Sequence, residues 1–307
     1  MNSRLLLYLV AMAACALPMI EAPFALLAGI ILAQTVTHPF PALSKRLTHL
    51  LLQVSVVGLG FGMNARQALE AGKQGLVFTV FSIFGTLLLG VVIGKRLRVE
   101  RNTSYLICTG TAVCGGSAIA AISSIIRSNE KQIATALGTV FILNSVALFL
   151  FPLLGKYFQL SQHQFGVWAA IAIHDTSSVV GAASKYGQEA LQTATTIKLE
   201  RALWIIPLAL LSVFVFKNRS QKIKIPYFIF LFVLAMLLSS FSPAVRAGAP
   251  YIVILAKAGL KITLFLIGTG LSRELISSVE PKPFLQGVLL WFFISANSLV
   301  VIVHTVL

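Results

Sequence analysis

The stretch Thr109-Gly110-Thr111-Ala112-Val113-Cys114-Gly115-Gly116-Ser117-Ala118 lies in the middle of an apolar segment, 103–126, and decides how that segment folds. Its ten small residues include three glycines, which makes a continuous helix unfavourable. Irregular backbone at membrane depth is tolerated only where it lines a cavity or is buried in protein. A helix that restarts near Gly116 and Ser117 would present N–H groups and a positive dipole end, so the stretch predicts an anion site. The alternative is close helix packing through small residues.

The composition indicates that this segment belongs to a membrane protein. Of the 307 residues, 57% are hydrophobic and only 11% are charged, and the mean hydropathy is +0.90. A soluble domain carries about 25% charged residues. We expect a single integral-membrane domain over 1–307 with an all-α polytopic fold of about 10–11 transmembrane helices, since segments of about 20 apolar residues cross a bilayer. The predicted spans are 4–20, 23–38, 45–63, 74–94, 103–126, 132–156, 164–185, 194–216, 225–242, 250–272 and 284–306.

Basic residues outnumber acidic ones by 24 to 9, and most of them lie in short loops between the apolar segments. Cytoplasmic loops of membrane proteins are enriched in Lys and Arg. We therefore place the two densest basic loops in the cytoplasm, with the N-terminus inside and the C-terminus outside the cytoplasmic (inner) membrane. This assignment puts Lys156 inside, and Arg127 and Lys131 outside. The two loops contain Lys95, Arg96, Arg98 and Arg101, and Lys217, Arg219, Lys222 and Lys224.

A second unusual stretch, Ile173-His174-Asp175-Thr176-Ser177-Ser178-Val179-Val180-Gly181, places two ionisable residues near the middle of the seventh span. Ionisable groups inside a membrane are costly and mark functional sites. Asp175, the only aspartate of the chain, would take up a proton or coordinate a cation. The hydroxyls of residues 176–178 would donate to an oxyanion. A compatible alternative is that Asp175 or Thr176 caps a second half-helix.

Further polar residues lie within or next to the predicted spans. Lys257 and Lys261 are four residues apart and share one helix face, where they would attract an anion if they lie inside the membrane. Alternatively, both lysines extend to the outer surface. Glu200 and Arg201 would pair with each other or with a site, and Asn144 favours an interhelical hydrogen bond.

A weak internal similarity occurs at an offset of 208 positions, between 60–64 and 268–272. The two segments end the third and tenth spans, which run in opposite directions, as in the inverted repeats of transporters. We predict inverted repeats with two interrupted helices at mid-membrane. A pairing of spans 2–6 with spans 7–11 is equally compatible with the sequence.

Motifs of several other protein classes are absent from the sequence. It contains neither a Walker A motif nor a His-Glu-x-x-His motif, so we expect no cofactor, no metal site and no enzymatic activity. The basic residues are explained by topology, so we expect no nucleic-acid partner. Two other classes stay open: an anion channel, and a membrane-embedded enzyme that would use Ser117 and His174.

The segments 110–121 and 173–183 resemble a bacterial inner-membrane family whose members are usually labelled as sulfate exporters. The similarity covers essentially the whole chain, and 264–268 also fits a late helix of the family. This resemblance implies an anion exporter. More distantly, the helices resemble bile-acid symporters and sodium/proton antiporters, which contain two crossing broken helices. That second similarity implies a fold and not a substrate.

We therefore expect a secondary transporter that exports a small anion, such as sulfate, in exchange or symport with H⁺ or Na⁺. His174 and Asp175 are the predicted ion-coupling residues, and Lys257 and Lys261 the predicted anion attractors. The expected partners are the anion, the coupling ion, the lipid bilayer and a second copy of the chain. The predicted substrate-binding residues are Thr111, Gly115, Gly116, Ser117, Thr176, Ser177 and Ser178.

Overall fold

The computed structural model of the protein describes residues 3–17, 19–36, 41–216, 227–277 and 279–306, and within these ranges it is built from α-helices without a strand. The second basic loop, 217–224, lies outside the described residues. The helices are α1 (Ser3–Ala16), α2 (Ala22–Thr35), α3 (Pro41–Gly60), α4 (Ala65–Arg96), α5 (Arg101–Ala112), α6 (Gly116–Ile125), α7 (Glu130–Tyr157), α8 (Gln162–Ala172), α9 (Thr176–Tyr186), α10 (Gln188–Leu203), α11 (Ile205–Phe216), α12 (Tyr227–Phe241), α13 (Pro243–Gly270), α14 (Arg273–Ser277) and α15 (Pro281–Thr305).

The long apolar helices confirm an all-α polytopic membrane protein. Large apolar side chains such as Phe81, Leu153 and Phe214 are exposed on them, which suits contact with lipid and not with water. By length and composition, the described residues include five stretches that could cross a membrane: Phe78–Arg96, Glu130–Tyr157, Gln188–Phe216, Pro243–Gly270 and Pro281–Thr305.

The chain divides into two compact units. Unit 1 consists of Met1–Glu70 and Pro226–Arg273, and unit 2 consists of Ala71–Ile225 and Glu274–Leu307. Helices α1, α2, α3, α12 and α13 belong to unit 1, whereas α5 to α11 and α15 belong to unit 2. Both interrupted segments of the sequence therefore lie in unit 2.

In unit 1 the long helix α13 packs against α1, α2, α3 and α12. It runs antiparallel to α3, because Gly58 contacts Ala256 whereas Ser55, earlier in α3, contacts Gly259, later in α13. Small residues at these positions allow close approach of the two helices. The opposite directions match those expected for the third and tenth spans, and the repeat relationship itself stays a prediction.

In unit 2 the fifth predicted span is a helical hairpin. The interruption is confirmed, because α5 ends at Ala112 and α6 begins at Gly116. The chain then reverses direction, since Asn102 Nδ2 donates to Ile126 O at 3.4 Å although the two residues are 24 positions apart. A helix that continued onward would separate them by about 36 Å. We call α5 and α6 hairpin 1, its turn at 113–115 the tip, and the opposite end the open end.

The seventh predicted span is also interrupted, and it also reverses. Helix α8 ends at Ala172 and α9 begins at Thr176. At the other end of the two helices, the rings of Phe165 and Tyr186 stack with centroids 3.8 Å apart, and Tyr186 Oη donates to Leu160 O at 2.6 Å. We call α8 and α9 hairpin 2, with its tip at 173–175. Neither broken segment is thus a broken crossing helix of the kind found in the antiporter fold named above.

The two hairpins enter unit 2 from opposite ends. Helix α7 begins beside the open end of hairpin 1, where the Gln132 side chain donates to Glu100. It finishes beside the open end of hairpin 2, where Gly155 packs against the rings of Phe165 and Tyr186. Helix α15 runs alongside α7. At the open end of hairpin 1, a 2.6 Å ion pair between Lys131 and Glu280 joins the beginnings of the two helices. At the open end of hairpin 2, Gln164 Nε2 donates to Val306 O just after α15, so both helices span the unit from one open end to the other.

This geometry corrects three side assignments made from the sequence. Because hairpin 1 returns to the end at which it began, Arg127 and Lys131 lie at the same end of unit 2 as Arg101. Lys156, near the end of α7, lies at the opposite end. The predicted topology had assumed a full crossing at each interrupted segment. It therefore separated Arg127 and Lys131 from Arg101 and placed Lys156 with Arg101, whereas the structure shows the reverse.

Candidate functional site

The tips of the two hairpins meet inside unit 2. A Cβ atom at position 115 would lie 3.4 Å from the carbonyl oxygen of His174 and 3.5 Å from Asp175 Cα, so the two backbones are in direct contact. Gly115 also has φ +63° and ψ −122°, a conformation that side-chain-bearing residues rarely adopt. Val140 of α7 packs against the same glycine. This contact brings together the two stretches that the sequence singled out separately.

Hairpin 1 presents an uncapped helix N-terminus. No side chain caps α6, and its first intrahelical bond runs from Ile119 N to Gly115 O. The N–H groups of Gly116 and Ser117 precede this first bond and have no acceptor among the described residues. Ser117 is exposed and Gly116 is partly exposed. Two backbone donors and one hydroxyl are therefore available at the positive end of the α6 dipole.

Hairpin 2 presents a capped helix N-terminus. Asp175 is the N-cap of α9, and its Oδ2 accepts from Ser178 N at 3.1 Å, from Ser178 Oγ at 3.3 Å and from Ser177 Oγ. This is the capping role that the sequence gave as the alternative. Thr176, Ser177 and Ser178 are all buried. Two of the three hydroxyls expected to meet an oxyanion are thus engaged by Asp175.

His174 is held by its backbone while its ring has no hydrogen bond. His174 N donates to Asn144 Oδ1 of α7 at 3.0 Å, which is the interhelical hydrogen bond expected of Asn144. The side chain is 0% exposed, and neither ring nitrogen has a partner among the described residues. The Thr111 hydroxyl and the Asn144 Nδ2 are likewise buried without a partner. Buried polar atoms of this kind are rare and call for an explanation such as a ligand.

Two buried cations hold the tips, and of these the sequence had singled out only Arg201, as a partner of Glu200 or of a site. Lys198 and Arg201 lie three residues apart on α10, and each is 0% exposed. Lys198 Nζ donates to Ile173 O at 2.7 Å and to Ala170 O at 3.3 Å, at the C-terminal end of α8. Lys198 therefore neutralises the negative end of α8, the first helix of hairpin 2.

Arg201 performs this role at hairpin 1. Its guanidinium donates to Ala112 O, the last residue of α5, and to Ser82 Oγ of α4. Of the two partners expected from the sequence, Glu200 or a site, Arg201 thus contacts the tip of hairpin 1. It forms no salt bridge with Glu200 within the described part of the chain. A signal was present in the sequence, because Lys198 and Arg201 have the i, i+3 spacing that places two side chains on one helix face.

The remaining predicted site residues lie elsewhere. Lys257 and Lys261 belong to α13 in unit 1, where both are half-buried and Lys261 Nζ donates to Leu17 O. Within the residues that the structure describes, no group of three or more His, Cys, Asp or Glu side chains is arranged to hold a metal ion. The polar groups at the tip contact that have no partner in the described residues are the N–H groups of α6, the Thr111 hydroxyl and the His174 imidazole.

Comparisons with known proteins show one family of relatives. A family model described as Conserved hypothetical protein 698 matches residues 4–287. A UPF0324 membrane protein of Bacteroides thetaiotaomicron is 53% identical over 90% of this chain and 84% of its own length. A UPF0324 membrane protein of Vibrio parahaemolyticus is 48% identical over 97% of this chain and 98% of its own. No solved structure matches the chain.

Proposed function

The chain belongs to the Conserved hypothetical protein 698 family of membrane proteins, and we propose that it is a secondary transporter of a small anion. The observation that carries the proposal is the contact of two oppositely inserted hairpins, one of which offers an uncapped helix N-terminus at its tip. Half-helix N-termini directed at anionic groups are a recurring feature of transporter binding sites. Irregular backbone inside a membrane protein is stable where it lines such a cavity.

The proposed anion site is formed by the first turn of α6. The N–H groups of Gly116 and Ser117 and the Ser117 hydroxyl would donate to the anion. In a hairpin, the negative end of the first helix lies beside the positive end of the second, and the two partial charges oppose each other. Arg201 neutralises the negative end of α5, so the positive end of α6 acts on the anion without that opposition.

Hairpin 2 has the same arrangement with one difference. Lys198 neutralises the end of α8, while the Asp175 carboxylate occupies the positive end of α9. That position is therefore already filled by an internal anion. We propose that the substrate binds at hairpin 1, in contact with the tip of hairpin 2, and that sulfate is the first candidate because of the family label stated above.

The direction of insertion follows from charge. The open end of hairpin 1 carries Arg127 and Lys131, in addition to the basic loop that ends at Arg101. The open end of hairpin 2 carries Lys156 and Lys185. By the positive-inside rule, hairpin 1 opens toward the cytoplasm of the proposed inner-membrane location. A secondary transporter is reversible, so the gradients of the anion and of H⁺ or Na⁺ set the direction of net flux.

The test is a screen for stabilising anions followed by a flux measurement. A ligand that binds the folded state raises its apparent stability. We would record the melting temperature of the purified protein with sulfate, thiosulfate, phosphate, chloride and short carboxylates, with and without Na⁺ and across pH. Saturable counterflow of the stabilising anion in proteoliposomes supports the proposal. Unsaturable conductance would instead indicate a channel, and a lack of both stabilisation and flux would refute anion transport.

A further inference from the structure

Glu200 of α10 has a buried carboxyl group that takes part in none of the interactions described so far. Its residue surface is partly exposed, but both carboxylate oxygens are buried and neither accepts a hydrogen bond from the described residues. The adjacent Arg201 acts on it electrostatically, yet the guanidinium donates to Ala112 O and Ser82 Oγ instead. Lys198, two residues earlier, is engaged by Ala170 and Ile173.

The two acids near the tips differ in how their charge is compensated. Asp175 accepts three hydrogen bonds and lies at a helix N-terminus, both of which stabilise a carboxylate. Glu200 has neither form of compensation. An ionised carboxylate buried without donors is so costly that such groups neutralise by binding a proton. The geometry therefore distinguishes Asp175, whose carboxylate is engaged by three hydrogen bonds, from Glu200, whose carboxyl group has no partner among the described residues and is able to bind and release a proton.

The charged surroundings of Glu200 favour exchange of that proton with an anion. The elements packed most extensively against α10 are α8 and α9. Helix α11, which carries no titratable side chain, also packs against it, and α4 and the end of α5 reach it through Ser82 and Ala112. Around the tips, two buried cations face one committed carboxylate, so the arrangement accepts one further negative charge. The titratable groups on α10, on the neighbouring elements and on the tips are Lys198, Arg201, Glu189, His163, Lys185, Tyr186, His174, Asp175 and Cys114, with Lys73 on α4.

We infer that Glu200, and not Asp175, carries the proton that accompanies the anion. This inference rests on the proposed function. When the Glu200 carboxyl group is protonated, Lys198 and Arg201 retain an excess positive charge that the anion balances. When the carboxyl group releases its proton to water, the resulting carboxylate supplies that balance itself and the anion leaves. One proton is bound and released per cycle, no covalent bond to the anion forms, and the proton and the anion cross in the same direction.

A spectroscopic measurement tests the protonation state without requiring transport. Infrared spectra of the purified protein at neutral pH should contain the C=O stretching band of a protonated carboxyl group. Glu200→Gln should remove this band, whereas Glu189→Gln should retain it, because Glu189 is an exposed acid on the same helix. Asp175→Asn should retain it as well. If the band is absent in the wild type, or persists in Glu200→Gln, the inference is overturned.

A transport measurement tests the coupling. In proteoliposomes, the wild type should accumulate radiolabelled sulfate, used as the probe, when a pH gradient is imposed. Glu200→Gln should lose this response, whereas Glu189→Gln, which replaces an exposed acid on the same helix, should keep it. Gradient-driven accumulation by Glu200→Gln would overturn the inference. Absence of sulfate movement by the wild type would count against the proposed substrate, and the infrared band would still decide the role of Glu200.

Folding of the variants is checked by their melting temperatures. Glutamine resembles a protonated glutamate in shape and charge, so Glu200→Gln should melt within a few degrees of the wild type. If it does not fold, Glu200→Met provides a second uncharged side chain of similar volume. Glu200→Asp, which keeps a titratable group, should retain part of the pH-driven accumulation. If neither Glu200→Gln nor Glu200→Met changes the infrared band, the assignment of the proton to Glu200 is excluded.

Discussion

Replacement of Gly116 by proline tests whether the α6 N-terminus binds the anion. Gly116 is the first residue of α6, because Gly115 is the N-cap. Proline is favoured at this position, where its missing N–H would have no intrahelical partner. Gly115 has dihedral angles outside the helical region that a following proline disfavours. The substitution therefore removes one of the two available N–H donors and leaves the helix able to form.

The expected loss follows from one hydrogen bond to a charged acceptor. Such a bond is worth about 1.5–3 kcal/mol, which corresponds to a roughly 10- to 150-fold weaker affinity. Gly116→Ala is the matched control, because alanine keeps the N–H. Both variants add a Cβ, which would lie 3.1 Å from Phe141 Cζ, so crowding by this atom is common to the two.

The assay is isothermal titration calorimetry of the purified protein with the anion that raises its melting temperature most. Gly116→Pro should bind at least tenfold more weakly than Gly116→Ala, with melting temperatures of the unliganded variants within a few degrees of each other. Equal affinities of the two variants would falsify the placement of the anion at this helix end. A large difference in melting temperature would instead indicate that proline disturbs the tip.

Three further substitutions test the surroundings of this site. Ser117→Asp places a carboxylate at the N-terminus of α6, as Asp175 does at α9 in hairpin 2. It should stabilise the protein by about 0.3–1 kcal/mol and abolish anion binding, as measured by calorimetry. Binding at wild-type affinity would contradict the reasoning. Arg201→Met leaves the Ala112 carbonyl without its charged donor and should cost about 1.5–3 kcal/mol, measured by melting against the exposed control Lys156→Met, and equal melting of the two would count against the capping role. Gly115→Ala should cost about 1–3 kcal/mol because of its backbone conformation, whereas Gly85→Ala, where a Cβ would have no neighbour within 4 Å, should not lower the melting temperature; a similar effect at both positions would refute this explanation.

Both helix breaks were predictable from the sequence, but the course of the chain after each break was not. Glycines at 110, 115 and 116 exclude a continuous helix. A broken crossing helix and a hairpin contain the same break in the sequence. The two are distinguished only by contacts between residues far apart in the chain, such as Asn102 with Ile126. One local signal was available for hairpin 1. Its segment is basic at both ends, at Arg101 and Arg127, which under the positive-inside rule places both ends on one side.

Lys198 and Arg201 show a different reason why the site was only partly predictable. Their positions near the start of a predicted span were compatible with long side chains that extend to the membrane surface. Their partners are backbone carbonyls of Ile173 and Ala112, which carry no sequence signature of their own. Side chains with a distinctive type, such as Asp175, could be singled out from the sequence, whereas the helix ends that create the field could be placed only by the fold.

The difference between the two hairpins explains why two similar helix ends should have different functions. In each hairpin a buried cation neutralises the C-terminal end of the first helix, which leaves the N-terminal end of the second helix with an unopposed positive charge. At hairpin 2 the Asp175 side chain, which is part of the chain itself, compensates that charge. At hairpin 1 no side chain does so. A mobile anion that bound there would complete the same arrangement from solution, and would do so in contact with the capped tip of hairpin 2.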